Sequence, residues 1–210
     1  MKNGYYALER SEIFPFIPAD IKRTLDVGCG LGNFSSRLKV EKNVEAWGIE
    51  MVEEAANQAK SKLDNVLIGT FDDVYDSLPK NYFDCIFFND VLEHMAYPED
   101  SLIKAKENLA DGGYIVASIP NMRYVEVLRE LILKKDWVYK DFGIQDKTHL
   151  RFFTEKSMKR MMEDCGYRVE RIEGINGLSP YCLTSFINLV CFNRIKDIKY
   201  KQFVILASVK

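Results

Sequence analysis

One stretch constrains this chain more than any other: Thr24-Leu25-Asp26-Val27-Gly28-Cys29-Gly30-Leu31-Gly32-Asn33, an apolar strand that runs straight into three alternating glycines. Glycine reaches positive φ and carries no Cβ, so such a loop can wrap closely under a ligand and open a helix, here over 34–38. The spacing is G-x-G-x-G. A dinucleotide fingerprint, G-x-G-x-x-G, would need its third glycine where Asn33 stands. Asp26 lies at the carboxyl end of the strand, a position suited to a cation such as the ammonium of an amino acid.

From Thr24 onward strand and helix patterns alternate, which implies β-α-β units in a parallel sheet covered on both faces. Strands are expected at Thr24–Val27, Val44–Ile49, Asn65–Ile68, Phe83–Phe88, Tyr114–Ile119, Tyr167–Ile172 and Gln202–Val209. Helices are expected over Met51–Leu63, which is rich in Glu and Ala, and over Pro98–Leu109, which starts on proline and stops before Asp111-Gly112-Gly113. A further helix starts at Thr154 and is closed by Cys165-Gly166, and Tyr5–Ile17 reads as a short helix ended by Pro15 and Pro18.

The 210 residues suit one domain, 1–210, with an N-terminal helical segment over 1–20 and two excursions over 120–153 and 176–200. With 29 basic against 31 acidic side chains, no general attraction to nucleic acid or to an anionic membrane is expected. Five scattered cysteines without a C-x-x-C pair argue against a disulfide framework or a zinc knuckle and suit a reducing cytoplasm. No signal peptide is expected. The longest apolar tract, 181–192, is broken by Thr184, Ser185 and Asn188 and is too short to span a bilayer, so membrane insertion is not expected; a lid, a core helix or a homodimer surface suits it better.

Crevices in such sheets open at the carboxyl ends of the strands, so site residues should follow each strand. After the second strand comes Glu50-Met51, whose carboxylate can accept hydrogen bonds from both hydroxyls of a ribose and would repel a 2′-phosphate. After the third come Thr70, Phe71 and Asp72, and after the fourth Asn89-Asp90-Val91-Leu92-Glu93-His94. The glycine loop with Asp26, the acid at Glu50, the Leu92-Glu93-His94 motif and the Asp111-Gly112-Gly113 turn together resemble class I S-adenosylmethionine (SAM) methyltransferases. The stretches Ile119-Pro120-Asn121, Trp137-Val138-Tyr139 and Asp146–Thr154 resemble a bacterial group encoded beside glycan and cell-surface biosynthesis enzymes.

The resemblance implies a doubly wound α/β fold with a seven-stranded, mostly parallel sheet, its last strand inserted antiparallel. It also implies SAM as cofactor, held by Asp26, Gly28, Cys29, Gly30, Gly32, Glu50, Met51, Thr70, Phe71, Asp72, Asn89 and Asp90. Thr70 departs from the family's usual Gly-Asp at that place. Methyl transfer to a small-molecule or glycan-type acceptor, at oxygen, is the expected reaction. His149, in a polar cluster with Asp146 and Arg151, is the expected base, and Trp137, Tyr139 and Phe152 are expected walls for the acceptor. Asp90, Glu93, His94 and His149 also echo the Glu-x-x-Glu-His arrangement of ubiquinone-pathway O-methyltransferases and RNA 3′-terminal methyltransferases; a divalent ion is admitted by these residues but not expected. The alternatives are a silent SAM-binding or partner-binding protein and, behind it, an NAD-dependent oxidoreductase.

Overall fold

Seven apolar runs pair into one sheet in the computed structural model of the protein, which describes residues 9–178 and 195–210. The strands are β1 (Arg23–Val27), β2 (Glu45–Glu50), β3 (Asn65–Ile68), β4 (Phe83–Asn89), β5 (Leu109–Pro120), β6 (Tyr167–Gly177) and β7 (Tyr200–Val209), in the order β3-β2-β1-β4-β5-β7-β6. The first five are parallel, while β7 runs antiparallel to both neighbours, as the resemblance implied.

Alternation along β4 shows how both faces are sealed. Cys85 and Phe87 join Ile13, Phe16, Phe34 and Leu38 on one side. Ile86 and Phe88 join Leu102, Leu109, Met158 and Met162 on the other. Helix α1 (Asn33–Lys42) therefore covers the first face, and α4 (Pro98–Asn108) and α6 (Glu155–Asp164) the second. Two shorter helices, α2 (Glu53–Ala59) and α3 (Phe71–Val74), follow β2 and β3, and α5 (Val125–Arg129) leaves β5 and widens into a π turn over Glu130–Lys134.

Several boundaries differ from the sequence reading for local reasons. Helix α2 is shorter than Met51–Leu63, because the chain turns at Lys60 and Leu63 closes back onto the Ala59 carbonyl. Strand β5 begins at Leu109 rather than Tyr114, since Leu109 already pairs with Phe83 and the Asp111-Gly112-Gly113 turn is absorbed as an irregularity of the strand. Of the expected Tyr5–Ile17 helix, the described part is a 3₁₀ turn over Ser11–Phe16 with Pro15 inside it. The apolar tract 181–192, with Cys182 and Cys191, lies outside the described residues; Cys29, Cys85 and Cys165 are buried free thiols.

Strand order reverses between β1 and β4: the chain builds outward through β2 and β3, then crosses to β4. In such sheets the crevice above the carboxyl ends at this switch point is where a ligand sits. The ends of β1, β2 and β4 carry Asp26, Glu50 and Asn89 there.

Candidate active site

The glycine loop is held against β2 by its own backbone. Gly28 and Cys29 N–H groups both donate to the Ile49 carbonyl, at 2.8 and 2.9 Å. Gly28, Gly30 and Gly32 all have positive φ. At Gly28 a Cβ would come within 2.6 Å of the Val91 side chain, so glycine is required there for space as well as for conformation. The Cys29 side chain fills the gap above Gly48, where a Cβ would meet its sulfur at 2.6 Å.

Glu50 is buried and both its oxygens accept backbone hydrogen bonds, from Gly30 N–H and Val52 N–H, each at 2.9 Å. It thus ties the glycine loop to the end of β2, and each carboxylate oxygen keeps a second lone pair for a ligand hydroxyl. Asp26 is buried and accepts from the Ser35 hydroxyl at 2.7 Å. Burial pushes its carboxyl up to about 7, against the opposing pull of Ser35 and the nearby Arg10 cation. Met51 is largely exposed at the rim.

The three residues after β3 have other partners. Thr70 caps α3 in a reciprocal box with Asp73, Phe71 is buried against Phe88 and Tyr75, and Asp72 is exposed and paired with Lys104 at 2.6 Å. Their side chains are thus engaged in capping, core packing and a surface ion pair.

At the end of β4, both polar atoms of the Asn89 amide are buried without a partner among the described residues. Asp90 follows in the left-handed region, φ 56°, which is sparsely populated and more tolerable for Asp than for most residues. Arg10 reaches in from the N-terminal segment and donates to Asp90 and, at 2.7 Å, to the Ser118 hydroxyl, while Gln202 donates to Asp90 at 2.7 Å. Burial opposes the charge on Arg10, yet Asp90 and Glu12 outweigh it and raise its pKa. Sequence reasoning passed over Arg10; its isolation as the one arginine between the N-terminus and β1 was the available signal.

His149 stands beside Asn89–Asp90 through the turn Leu92–His94. The Glu93 carbonyl accepts from Leu150 and Arg151 N–H, and the His94 and His149 rings meet edge to face at 4.7 Å. His149 Nδ1 lies 3.1 Å from the Ile144 carbonyl, and its Nε2 faces Glu93 Oε1 at 4.0 Å. Asp146 and Arg151 do not hold the ring as expected. Asp146 is taken by the Thr148 backbone and hydroxyl, and Arg151 donates to the Ala96 carbonyl. Glu93 is the carboxyl that faces His149. Burial, reinforced by the Asp90 charge, pushes Glu93 well above the usual carboxylate range, and both its oxygens lack a hydrogen-bond partner among the described residues. Burial and then His94 lower the His149 pKa.

A methyltransferase domain model matches residues 3–172. The chain belongs to the methyltransferase domain family. It is similar to a mitochondrial ubiquinone biosynthesis O-methyltransferase from Candida albicans, 34% identical over an alignment of 110 residues, with 48% of this chain and 33% of that protein's length covered. A SAM-dependent methyltransferase from Archaeoglobus fulgidus shares the fold with a TM-score of 0.67 at 21% identity, covering 94% of this chain and 90% of that one. One from Thermotoga maritima does so at 20% identity, again with a TM-score of 0.67, covering 99% and 90%. By family the chain carries a methyltransferase domain, on a fold it shares with solved SAM-dependent methyltransferases, and this disfavours the nicotinamide alternative. The orphaned Asn89 amide, the Cβ-free cradle at Gly28 and the Glu50 carboxylate are the features of this methyltransferase that fit the cofactor.

Proposed function

We propose that this methyltransferase transfers the SAM methyl group to an oxygen of a small-molecule or glycan-type acceptor, with His149 as the base. The observation that carries the reading is the fixed tautomer of His149. A carbonyl only accepts, so the Ile144 partner requires a proton on Nδ1 and leaves the Nε2 lone pair facing Glu93. A neutral imidazole is what a hydroxyl proton needs at the moment the oxygen attacks, and the lowered pKa keeps it neutral. SAM supplies an already electrophilic methyl; the protein's own work is alignment and proton removal. In this reading Asp26 and Arg10 address the ammonium and carboxylate of the methionine part, and Glu50 the ribose. The bacterial group encoded beside glycan and cell-surface biosynthesis enzymes gives the acceptor class by resemblance, and the similarity to an O-methyltransferase supports oxygen.

A second reading rests on Glu93, His94 and His149, whose ligand atoms lie within 4.8 Å of one another. The two unpartnered Glu93 oxygens fit a divalent cation there, which would lower the pKa of an acceptor hydroxyl. His149→Ala separates the two. As a base, its loss lowers turnover by ~10²–10⁴ with SAM affinity retained and no effect of chelator. As a ligand, its loss is mimicked by His94→Ala, and chelator abolishes activity until a divalent ion is returned. Saturable SAM binding with no S-adenosylhomocysteine released from any acceptor pool would instead establish a silent binder.

A further inference from the structure

Asp90 is expected from the sequence to touch the donor, yet its carboxylate is engaged within the chain. One oxygen takes the Arg10 guanidinium, and the other accepts from Gln202 Nε2 at 2.7 Å and from the Ser118 hydroxyl at 3.3 Å. These donors come from three separate elements: the segment before β1, β7 and β5. The Gln202 amide can present itself only one way. A carboxylate only accepts, so the nitrogen must face Asp90, and the amide oxygen accepts from Asn176 Nδ2 of β6 at 2.8 Å. Gln202 stands opposite Pro120, where β5 ends, and so the inserted strand reaches the end of β4 across 112 residues of sequence.

This anchoring bears on both halves of the site. Asp90 lies at φ 56°, a conformation that persists only where its surroundings over-determine it. The side-chain bonds supply that determination, together with the Asp90 N–H on the Ser118 carbonyl at 3.0 Å. The bend aims the residues that follow. Val91 lies over Gly28, where a Cβ would meet its side chain at 2.6 Å. Glu93, on the 3₁₀ turn Leu92–His94, accepts from Leu150 and Arg151 through its carbonyl and faces His149 through its carboxyl. One short turn therefore abuts the glycine loop on one side and the histidine loop on the other.

We propose that Asp90 and Gln202 are positioning residues for methyl transfer: the Gln202 amide holds the Asp90 carboxylate, and this bond sets the Val91–His94 turn and with it the His149 ring relative to the glycine loop. Neither side chain contacts the donor in this arrangement. A displacement of about 1 Å in a catalytic group can cost roughly a hundredfold in rate, so a hydrogen bond that touches neither reactant can govern turnover. The catalytic consequence rests on His149 as the base; the positioning itself does not.

The test uses the whole chain and the ring signals of its two histidines, His94 and His149, in nuclear magnetic resonance. Gln202→Leu changes no charge, so movement of these signals reports displacement of the turn rather than an altered field. Both are expected to move. In Asp90→Asn/Gln202→Glu the hydrogen bond is restored with donor and acceptor exchanged, and the signals should return towards their wild-type positions. Asp90→Asn alone should weaken SAM, measured by calorimetry, by less than about tenfold, since removing a charged acceptor from the donor itself would cost at least that much. Should Gln202→Leu fail to fold, Gln202→Asn, one methylene shorter and out of reach of Asp90, provides the same reading. Unmoved histidine signals in a folded Gln202 variant, no return in the double variant, or a tenfold loss of SAM affinity in Asp90→Asn would each overturn the proposal. None of these measurements depends on turnover, so a failure of His149 as base would leave them unchanged.

Discussion

Asp26 shows how one buried acid can make cofactor affinity depend on pH. Its carboxyl rises from an ordinary 3.8 to about 7, chiefly through burial. A raised folded-state value means that its contribution to stability is complete below about pH 4 and is lost as pH climbs through about 7. If the SAM ammonium pairs with the ionised form, binding below that point must expel a proton. Affinity should then rise between about pH 6 and pH 8, and Asp26→Asn should flatten the dependence, as calorimetry in buffers of different ionisation enthalpy would reveal. Glu50→Ala should weaken SAM by about tenfold to a hundredfold, the worth of a charged hydrogen-bond acceptor. It should also lower the melting temperature, because Gly30 and Val52 lose their partner. An unchanged dissociation constant with a lowered melting point would leave Glu50 a purely structural tie. For His149, burial and His94 hold the pKa below 6.5, so the acid limb of the rate profile should lie below that value and vanish in the alanine variant.

Among the elements, the loop between β1 and α1 tolerates least. Gly28→Ala would place a Cβ at φ +75° and within 2.6 Å of Val91. The backbone cost alone is about 1–2 kcal/mol, and the clash must displace the turn that carries Glu93. Both stability and SAM binding should fall, whereas the same substitution at Gly112, with nothing within 4 Å of the added Cβ, should leave binding intact. This loop was legible in the sequence because its constraint is local. So was the cap of α3: Thr70-x-x-Asp73 is a capping signature, and reading it would have assigned Thr70 to the helix. The contacts that organise the site were not legible. Arg10 meets Asp90 across 80 residues, and Glu93 faces His149 across 56; no periodicity records such distances in sequence. Asp146 was the nearer acid on paper, yet the turn it closes consumes its lone pairs.

For the molecule as a whole, a ligand that binds only the folded state adds stability in proportion to its excess over the dissociation constant. SAM at about a hundredfold excess should contribute ~2.7 kcal/mol, raising the melting temperature of a chain this size by about 5–10 °C, with no shift from NAD. A shift with NAD alone would overturn the cofactor assignment. The first five strands announced themselves as apolar runs, but where β7 sits is a property of the assembled sheet and came only by resemblance. That insertion governs the order in which the sheet can be completed. Among the described residues β6 pairs with no strand but β7, and β7 bridges it to β5 by joining Tyr114 to Ser208, 94 residues apart. During synthesis β6 must therefore wait with its pairing edge open until Tyr200–Val209 has been made. Joining β7 to β5 closes a chain loop of this length, a contact whose entropic cost makes it a slow one to form.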